Sequence, residues 1–422
     1  MPPMNNEPQA VSIPVHEPMS QFAVADGELL IGAIPISRLL ARVGKTPFYA
    51  YDRRLIAERA ESLRQALPPS LRLHYAMKAN PMPALVGWMT GLVDGVDVAS
   101  LGEMKVALDA GVGPERISFA GPGKRDEELR AAVAAGVLLN VESEHEVAVL
   151  ANISDKLALP ARIAVRVNPD FELKSSGMKM GGGAKPFGVD AEQVPSLLRR
   201  IAGLGLAFEG FHVFAGSQNL KAEAITDAQQ QAMQLVRRLI ETAPPSLPPV
   251  RSINLGGGFG IPYFPGEKRL DIAPIADNLA QLVAQTSLIM PKASLHIELG
   301  RYLVGEAGVY VTSVVDKKVS RGETFLVVDG GLNHHLAASG NFGQVIRKNY
   351  PVAIGNRMAE ATLETVSIVG PLCTPLDRLA DKVSLPKAEI DDLVVIFQSG
   401  AYGASASPQG FLGHPPVTEV LV

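Results

Sequence analysis

Between residues 71 and 301 the chain alternates eight times between a short apolar or β-branched run and, in most cases, a longer run with helical spacing. The strand-like runs are LRLHYAMKAN (71–80), GVDVAS (95–100), RISFAG (116–121) and LLNVES (138–143). They continue with ARIAVRVNP (161–169), AFEGFHVFAG (207–216), VRSINLGGG (250–258) and ASLHIELGR (293–301). Between them, Gly102–Ala110, Asp126–Ala135 and Ala222–Glu241 read as helices. The last carries Ala228, Ala232, Met233, Leu235, Val236, Leu239 and Ile240 at helical spacing. Strands alternating with helices make βαβ units and a parallel sheet. Eight units in about 230 residues fit a closed (β/α)8 barrel of the TIM type, with an open doubly wound sheet as the alternative. Position separates the two. Lys78, Asp97, Ser100, Glu142, Arg166, His212, Ser217, Gly256 and Glu298 all fall at or just beyond the C-terminal ends of their runs. A barrel assembles its active site on that face from many strand ends, so the fold class predicted is α/β, a (β/α)8 barrel.

Beyond residue 301 the texture changes. GVYVTSVVDKKVSRGETFLVVDGG, ATLETVSIVGP and DDLVVIFQSG are strand-like and broken by Gly, Pro and charged turns, which predicts a second, mostly β domain of sandwich or barrel type. Residues 46–301 are assigned to the barrel, and 21–45 with 302–422 to the β domain. ADGEL and TPFYAYD can add strands to that domain, which leaves the barrel as an insertion. TAPPSLPPV (242–250) is a loop before the seventh strand. The first 20 residues are Pro-rich and polar; they are expected to be disordered and lack the layout of a signal peptide. With 39 basic against 43 acidic residues, the net charge of −4 speaks against nucleic acid and anionic membranes as partners. No apolar run reaches the roughly 18 residues of a membrane span. One cysteine excludes an internal disulfide framework and a multi-cysteine zinc site. A cytoplasmic protein of enzyme size is the expectation.

Several residues carry chemistry under one reading and none under another. Lys78, near the end of its strand, is either a solvated rim charge or an amine in a preorganised pocket, where burial makes it nucleophilic toward an aldehyde. Gly256, Gly257, Gly258 and Gly260 follow a strand, and their backbone amides can approach an anion or simply make a tight turn. The run is neither a Walker A loop nor a G-x-G-x-x-G fingerprint. Glu298 and Arg301 close the eighth strand and can be a structural ion pair. Cys373 is the only thiol; it lies between Gly-Pro and Pro, where an inert core cysteine is less expected. His334 and His335 lack a third ligand at suitable spacing, so no metal site is assigned.

Ten motifs occur in order: YAMKANP (75–81), DVASLGE (97–103), VESEHE (141–146), RVNP (166–169), HVFAGSQ (212–218), GGGFG (256–260), ELGR (298–301), VDGG (328–331), GPLCTPLD (370–377) and GAYG (400–403). With these the chain resembles the fold-type III pyridoxal-phosphate decarboxylases, the group of ornithine/arginine and diaminopimelate decarboxylases, with alanine racemase a distant relative. The resemblance runs from TPFYAYD to GAYG. It implies that Lys78 forms the internal aldimine with pyridoxal 5'-phosphate and that Glu298 pairs with the pyridine nitrogen, so that the ring accepts electrons from Cα. It implies a phosphate cradle of Gly256, Gly257, Gly258, Ser217 and Tyr402, with Gly300 and Arg301 at the same end of the cofactor. Asp97, Arg166 and His212 complete the polar shell. Cys373 is similar to the residue that one subunit places opposite the lysine of its partner to reprotonate the carbanion, which implies a homodimer with two shared sites.

The departures from the family pattern concern the substrate. Phe214 replaces the imidazole that normally stacks on the cofactor; a phenyl ring stacks but offers no hydrogen bond. ELGR stands for E-P-G-R. Thr374 stands where an acid is typical, beside Asp377, and the pair is assigned to substrate binding. His334–Phe342 (HHLAASGNF) replaces the Arg-Pro and Tyr that read the substrate's far end, and Ala337, Ala338, Ser339 and Gly340 are expected to line a wider, less charged entrance. An unpaired charge desolvated in such a site costs several kcal/mol. The expected activity is therefore α-decarboxylation of an amino acid or amino-acid conjugate without a free charged distal group, such as one held on a carrier protein. An ordinary diaminopimelate decarboxylase with drifted motifs and a racemase or epimerase on the same scaffold are the alternatives.

Overall fold

The computed structural model describes residues 14–172, 178–179 and 181–422 of the chain. Eight parallel strands form the barrel: β1 (Arg72–Ala76), β2 (Gly95–Val98), β3 (Ile117–Phe119), β4 (Leu138–Val141), β5 (Arg162–Asn168), β6 (Ala207–Val213), β7 (Ser252–Asn254) and β8 (Ser294–Leu299). Each pairs with the next. The pairing of β8 with β1 closes the ring, His296 opposite Arg72 and Leu299 opposite Tyr75. An open sheet would leave those two edges unpaired, so the doubly wound alternative is excluded.

Each of the eight runs contains one strand. Lys78, Ser100, Glu142, Ser217 and Gly256 lie beyond the ends of their strands at the C-terminal mouth, whereas Asp97, Arg166, His212 and Glu298 are among the last residues of theirs. Two of the loops turn into helices through the same device. Ser100 Oγ accepts from the amide of Glu103 at 3.2 Å while the Glu103 carboxylate reaches back to the Ala99 amide at 2.7 Å. Ser143 and Glu146 repeat it, the Glu146 carboxylate accepting from the Glu142 amide. Each satisfies amides that a helix start leaves without partners. The helix Asp126–Ala135 has three acids in its first turn and ends at Gly136 in the left-handed conformation. The 20-residue helix Ala222–Glu241 buries Ala232, Met233, Leu235, Val236 and Leu239, the face its spacing indicated.

The second domain is built on the 13-residue strand Gly308–Ser320. Its first half pairs with Leu393–Ile396 and its second half with Glu323–Val328; the register shifts between Val314 and Asp316. Leu363–Val369 and Arg378–Pro386 extend the sheet. Phe48–Tyr51, inside the stretch assigned to the barrel, is buried at all four residues. A strand of that kind needs partners on both edges, and it finds them in Gly308–Ser320 and Thr418–Leu421, within the second sheet. Phe22, Leu29, Ile31, Ile36 and Leu39 pack on Phe48, Ala50, Val309, Val395 and Val422, so the segment before the barrel is sealed into the second domain's core.

The expectation of disorder over residues 1–20 concerns, for residues 1–13, a stretch outside the described residues. Residues 14–20 lie against the body of the protein. His16 Nε2 is 2.9 Å from the Asn349 carbonyl, and Glu17 pairs with Lys268 at 2.8 Å. Among the described residues no helix is long and apolar enough to cross a membrane.

Candidate active site

Lys78 sits on a short 3-10 turn, Met77–Ala79, at the C-terminal end of β1. Its side chain is exposed in the mouth of the barrel, and Nζ lies 5.3 Å from the centre of the Phe214 ring. Phe214 follows β6 and is buried. Gly256 makes room for it, because a Cβ there would come within 2.8 Å of the ring, and Gly256 itself has a positive φ of 70°.

Glu298, at the inward face of β8, lies at the base of the site. Asn254 Nδ2 donates to its Oε2 at 3.1 Å, and His212 Nε2 stands 3.3 Å from the same oxygen. The angle leaves both His212 ring nitrogens without an aligned hydrogen-bond partner. Burial works to raise the Glu298 pKa, but the positive potential of His212, Lys78 and Arg166 outweighs it and lowers the value from 4.5 to about 2. The carboxylate is thus held ionised in the barrel's interior.

Asp97, Arg166, His212 and Glu298 share with Lys78 a cavity of about 190 Å³. Arg166 Nη1 donates to Glu142 Oε1 at 2.9 Å and its guanidinium stacks 5.1 Å over the Phe187 ring. Glu142 also accepts from the amides of Gly121 and Gly188. A second, narrower cavity joins Lys78, Phe214 and Glu298 to Ser217, Gly258, Gly300, Arg301 and Tyr402. Gly257 permits its turn to press on β8, since a Cβ there would overlap the Glu298 carbonyl oxygen. Gly300 plays the same part toward Ala79, whose Cβ would lie 2.8 Å away. Tyr402 holds a left-handed backbone (φ 54°) and donates its amide to the Ala79 carbonyl at 2.8 Å. Arg301 stacks 4.8 Å over the Tyr402 ring and donates to Tyr263 Oη at 3.3 Å. The suggested Glu298–Arg301 ion pair is not among the contacts; the two side chains have different partners.

Two strand-end sets therefore converge from six β strands, and the glycines serve close approach of backbone as well as any anion. Glu142, Phe187 and Asn254 also belong to this neighbourhood. Glu142 was visible at a strand end and in the VESEHE motif; Phe187 carried no sequence signal.

The loop Gly370–Asp377 stands apart. Cys373 is exposed and absent from the walls of both cavities. Thr374 Oγ1 accepts from the Leu376 amide at 3.3 Å. Asp377 is buried, its two oxygens taken by the amides of Leu332 at 2.6 Å and Leu372 at 2.8 Å. Those two bonds make the Asp377 carboxylate a brace between this loop and Leu332. The widened entrance is corrected in part. Ala338 and Ser339 are buried in the second domain, and Ala337 alone of the four small residues lines the adjoining cavity, about 230 Å³, with Tyr263, Phe264, Arg301, Phe342, Tyr350 and Tyr402. His335 sits in an aromatic core of Tyr49, Tyr310 and Tyr350, hydrogen-bonded to Ser399, with its pKa lowered by burial to about 3.

Residues 53–305 match the pyridoxal-binding domain of the pyridoxal-dependent decarboxylases. The chain is similar to the L-glutamyl-[BtrI acyl-carrier protein] decarboxylase of Niallia circulans, 39% identical over 383 residues that cover 89% of each chain. It is similar to the diaminopimelate decarboxylase of Aquifex aeolicus, 34% identical over 400 residues, 94% of this chain and 91% of the other. Among solved structures it matches the diaminopimelate decarboxylase of M. jannaschii in complex with L-lysine, with a TM-score of 0.86 at 25% identity over 95% of this chain and 92% of that one. The barrel, the strand-end site and these similarities agree: the chain belongs to the pyridoxal-dependent decarboxylases, carboxy-lyases that work with pyridoxal phosphate.

Proposed function

We propose that this enzyme α-decarboxylates an amino acid whose distal end is joined to a larger neutral group, as in a carrier-protein thioester. The observation that carries this reading is the composition of the 230 Å³ cavity beside Arg301 and Tyr402. Its walls are aromatic and amide side chains, Gln218, Tyr263, Phe264, Phe342, Gln344 and Tyr350, with no carboxylate among the described residues. A distal ammonium would be desolvated there without a counter-charge, and its one cation, Arg301, is already engaged by Tyr263 and Tyr402. The similarity to a decarboxylase of an acyl-carrier-bound glutamate supports the same class.

The residues present fit pyridoxal phosphate. An amine, an ionised buried carboxylate and a glycine turn line connected space, and Asp97 Oδ2 and both His212 ring nitrogens are buried polar atoms without aligned partners. In this reading Lys78 Nζ holds the cofactor covalently and Glu298 its pyridine nitrogen. Gly256, Gly257, Gly258, Ser217, Gly300, Arg301 and Tyr402 hold the phosphate. Asp97, Arg166 and His212 set the polar surroundings, and Phe214 flanks the ring. When bound, the cofactor supplies an electron sink for the bond that breaks at Cα. Cys373 Sγ would deliver the proton that replaces CO2, a form of help worth roughly 10²–10⁴-fold, and Thr374 beside it would border the substrate.

Because Cys373 is exposed and outside the Lys78 cavities, the reading requires a homodimer in which each subunit completes the other's site. Phe342, Val345, Ile346 and Leu376 are large exposed apolar residues, and Asn341 Nδ2 donates to the Leu376 carbonyl at 3.2 Å, which joins the two segments into one apolar surface beside the thiol. A free thiol on that surface suits the reducing cytoplasm.

Steady-state CO2 release decides the substrate class. Thioesters of amino acids on a carrier protein or a pantetheine mimic are expected to be turned over, and free diaminopimelate, lysine and ornithine poorly. A kcat/KM above about 10⁴ M⁻¹s⁻¹ on any of the free diamino acids, the ordinary enzyme range, would overturn the proposal.

A further inference from the structure

The interior of such a barrel is ordinarily filled by layers of Val, Ile and Leu. Here a polar column runs down it. On β8 the inward residue below Glu298 is His296; on β1 it meets His74, and on β2 Asp97. All three are less than 9% exposed. His296 Nδ1 lies 3.1 Å from His74 Nε2, and His74 Nδ1 lies 3.5 Å from Asp97 Oδ1. Gly95 leaves the space for this arrangement, since a Cβ at that position would stand 2.7 Å from His74 Nε2.

The column has two different ends. Asp97 borders the cavity that holds Lys78 and Glu298, and its Oδ2 is buried there without a partner. His74 and His296 border a separate cleft of about 260 Å³ at the N-terminal end of the barrel, whose wall carries the carboxylates of Asp94, Glu115 and Glu209 and the cations of Arg72, Arg116, Arg162, Arg251 and Lys292. Burial above all, with the neighbouring Arg72 guanidinium, pushes the His296 pKa well below the usual 6.5, so the ring is neutral and carries one N–H.

We propose that Asp97, His74 and His296 form a proton path through the barrel, connecting the Lys78 cavity with solvent in the cleft at the opposite end. A proton from water binds His296 Nε2, the Nδ1 proton of His296 passes to His74 Nε2, and the Nδ1 proton of His74 passes to Asp97 Oδ1. One proton enters, one arrives on the carboxylate, and both imidazoles are neutral before and after, each with its N–H moved from Nδ1 to Nε2. Run in reverse, the same chain returns a proton from Asp97 to the cleft, so the column sets the protonation equilibrium of Asp97. Decarboxylation gives this path a purpose. CO2 leaves without the bonding pair, Cα takes up one proton per turnover, and the proton content of the site has to be restored. The path supplies one proton from the side away from the mouth through which substrate enters, and each imidazole then has to turn to bring its N–H back to Nδ1 before the next can follow. The 3.5 Å contact is at the long end for a hydrogen bond. His74 and His296 are positioning and relay residues here, since neither borders the Lys78 cavity.

Nuclear magnetic resonance of the holoenzyme labelled with 15N-histidine tests the path without any substrate, so its outcome is independent of the substrate class proposed above. His74 and His296 are expected to share one register, both as Nδ1–H tautomers or both as Nε2–H. Opposite tautomers, with two bare nitrogens or two N–H groups facing each other, would overturn the path. Because His74 also borders the cleft, exchange with solvent is read at its Nδ1 proton, the one toward Asp97, and is expected to slow at least about tenfold in His296→Leu, with the His74 signal otherwise retained. Should that variant not fold, His296→Gln, which hydrogen-bonds but does not titrate, is expected to do the same. Unchanged exchange in a folded variant would refute the proposal.

Discussion

Glu298 shows how one side chain acquires its state from its surroundings. Burial alone would favour the neutral acid, and the nearby His212, Lys78 and Arg166 reverse that preference. The consequence is a pH dependence with a definite sign. The folded-state pKa is depressed from 4.5 to about 2, so the unfolded chain binds the proton more tightly. The stabilisation is complete above pH 4.5 and is lost as the pH falls toward about 2. In Glu298→Gln this contribution is absent. Urea unfolding of the two proteins is expected to show their stability difference shifting between pH 5 and pH 3, with the wild type losing more; parallel curves would contradict the carboxylate's ionised state. Asp377 illustrates the converse. An acid that reads in sequence as a substrate ligand accepts one backbone amide on each oxygen, from Leu332 and from Leu372.

At the scale of elements, the strand-end turns decide the site's precision. Gly256 and Gly258 have positive φ values of 70° and 87°, and Gly257 presses on the backbone of β8. A side chain at residue 257 forces the end of β7 away from the end of β8, an overpacking of about 1–3 kcal/mol. Gly257→Ala is therefore expected to weaken retention of pyridoxal phosphate about ten- to hundredfold, read by cofactor absorbance after dialysis, while the circular dichroism of the barrel is kept. Wild-type retention would show that the turn does not hold the cofactor. The S-x-x-E pairs at Ser100 and Ser143 carry a different lesson. Part of what makes DVASLGE and VESEHE distinctive is helix initiation, which places Asp97 and Glu142 at the mouth without Glu103 and Glu146 touching the 190 Å³ cavity.

For the whole molecule, the decisive question is whether one chain contains a complete site. The thiol is exposed in a loop of the second domain, whereas the amine is in the barrel mouth. If two-fold related subunits exchange these groups, Lys78→Ala and Cys373→Ala protomers complement each other. Random mixing makes half the dimers mixed, each with one intact site of two, so about a quarter of wild-type activity is expected. A verified mixed dimer with no recovered CO2 release would show that the groups do not work across the interface.

The order of the barrel's eight strands, their parallel pairing and the strand-end location of the candidate site are legible in the sequence because each depends on local pattern. Period distinguishes strand from helix, and polar residues gather where the strands stop. Lys78, Glu298 and the glycine run are legible for the same reason, each being a chemical type at a strand end. What needs the tertiary structure is whatever depends on contacts between distant segments. Phe48–Tyr51 joins the second sheet because a strand buried on all sides must find two partners, and these come from Gly308–Ser320 and Thr418–Leu421. Asp377 turns inward to two amides, Ala338 and Ser339 disappear into the core, and Phe187 arrives over Arg166 from a loop without any signature. His74 and His296 each look like an ordinary strand residue. Only closure of the barrel, which sets β8 beside β1, brings their rings 3.1 Å apart and makes a column of them, because side-chain proximity across 222 residues is a property of the fold and not of the pattern.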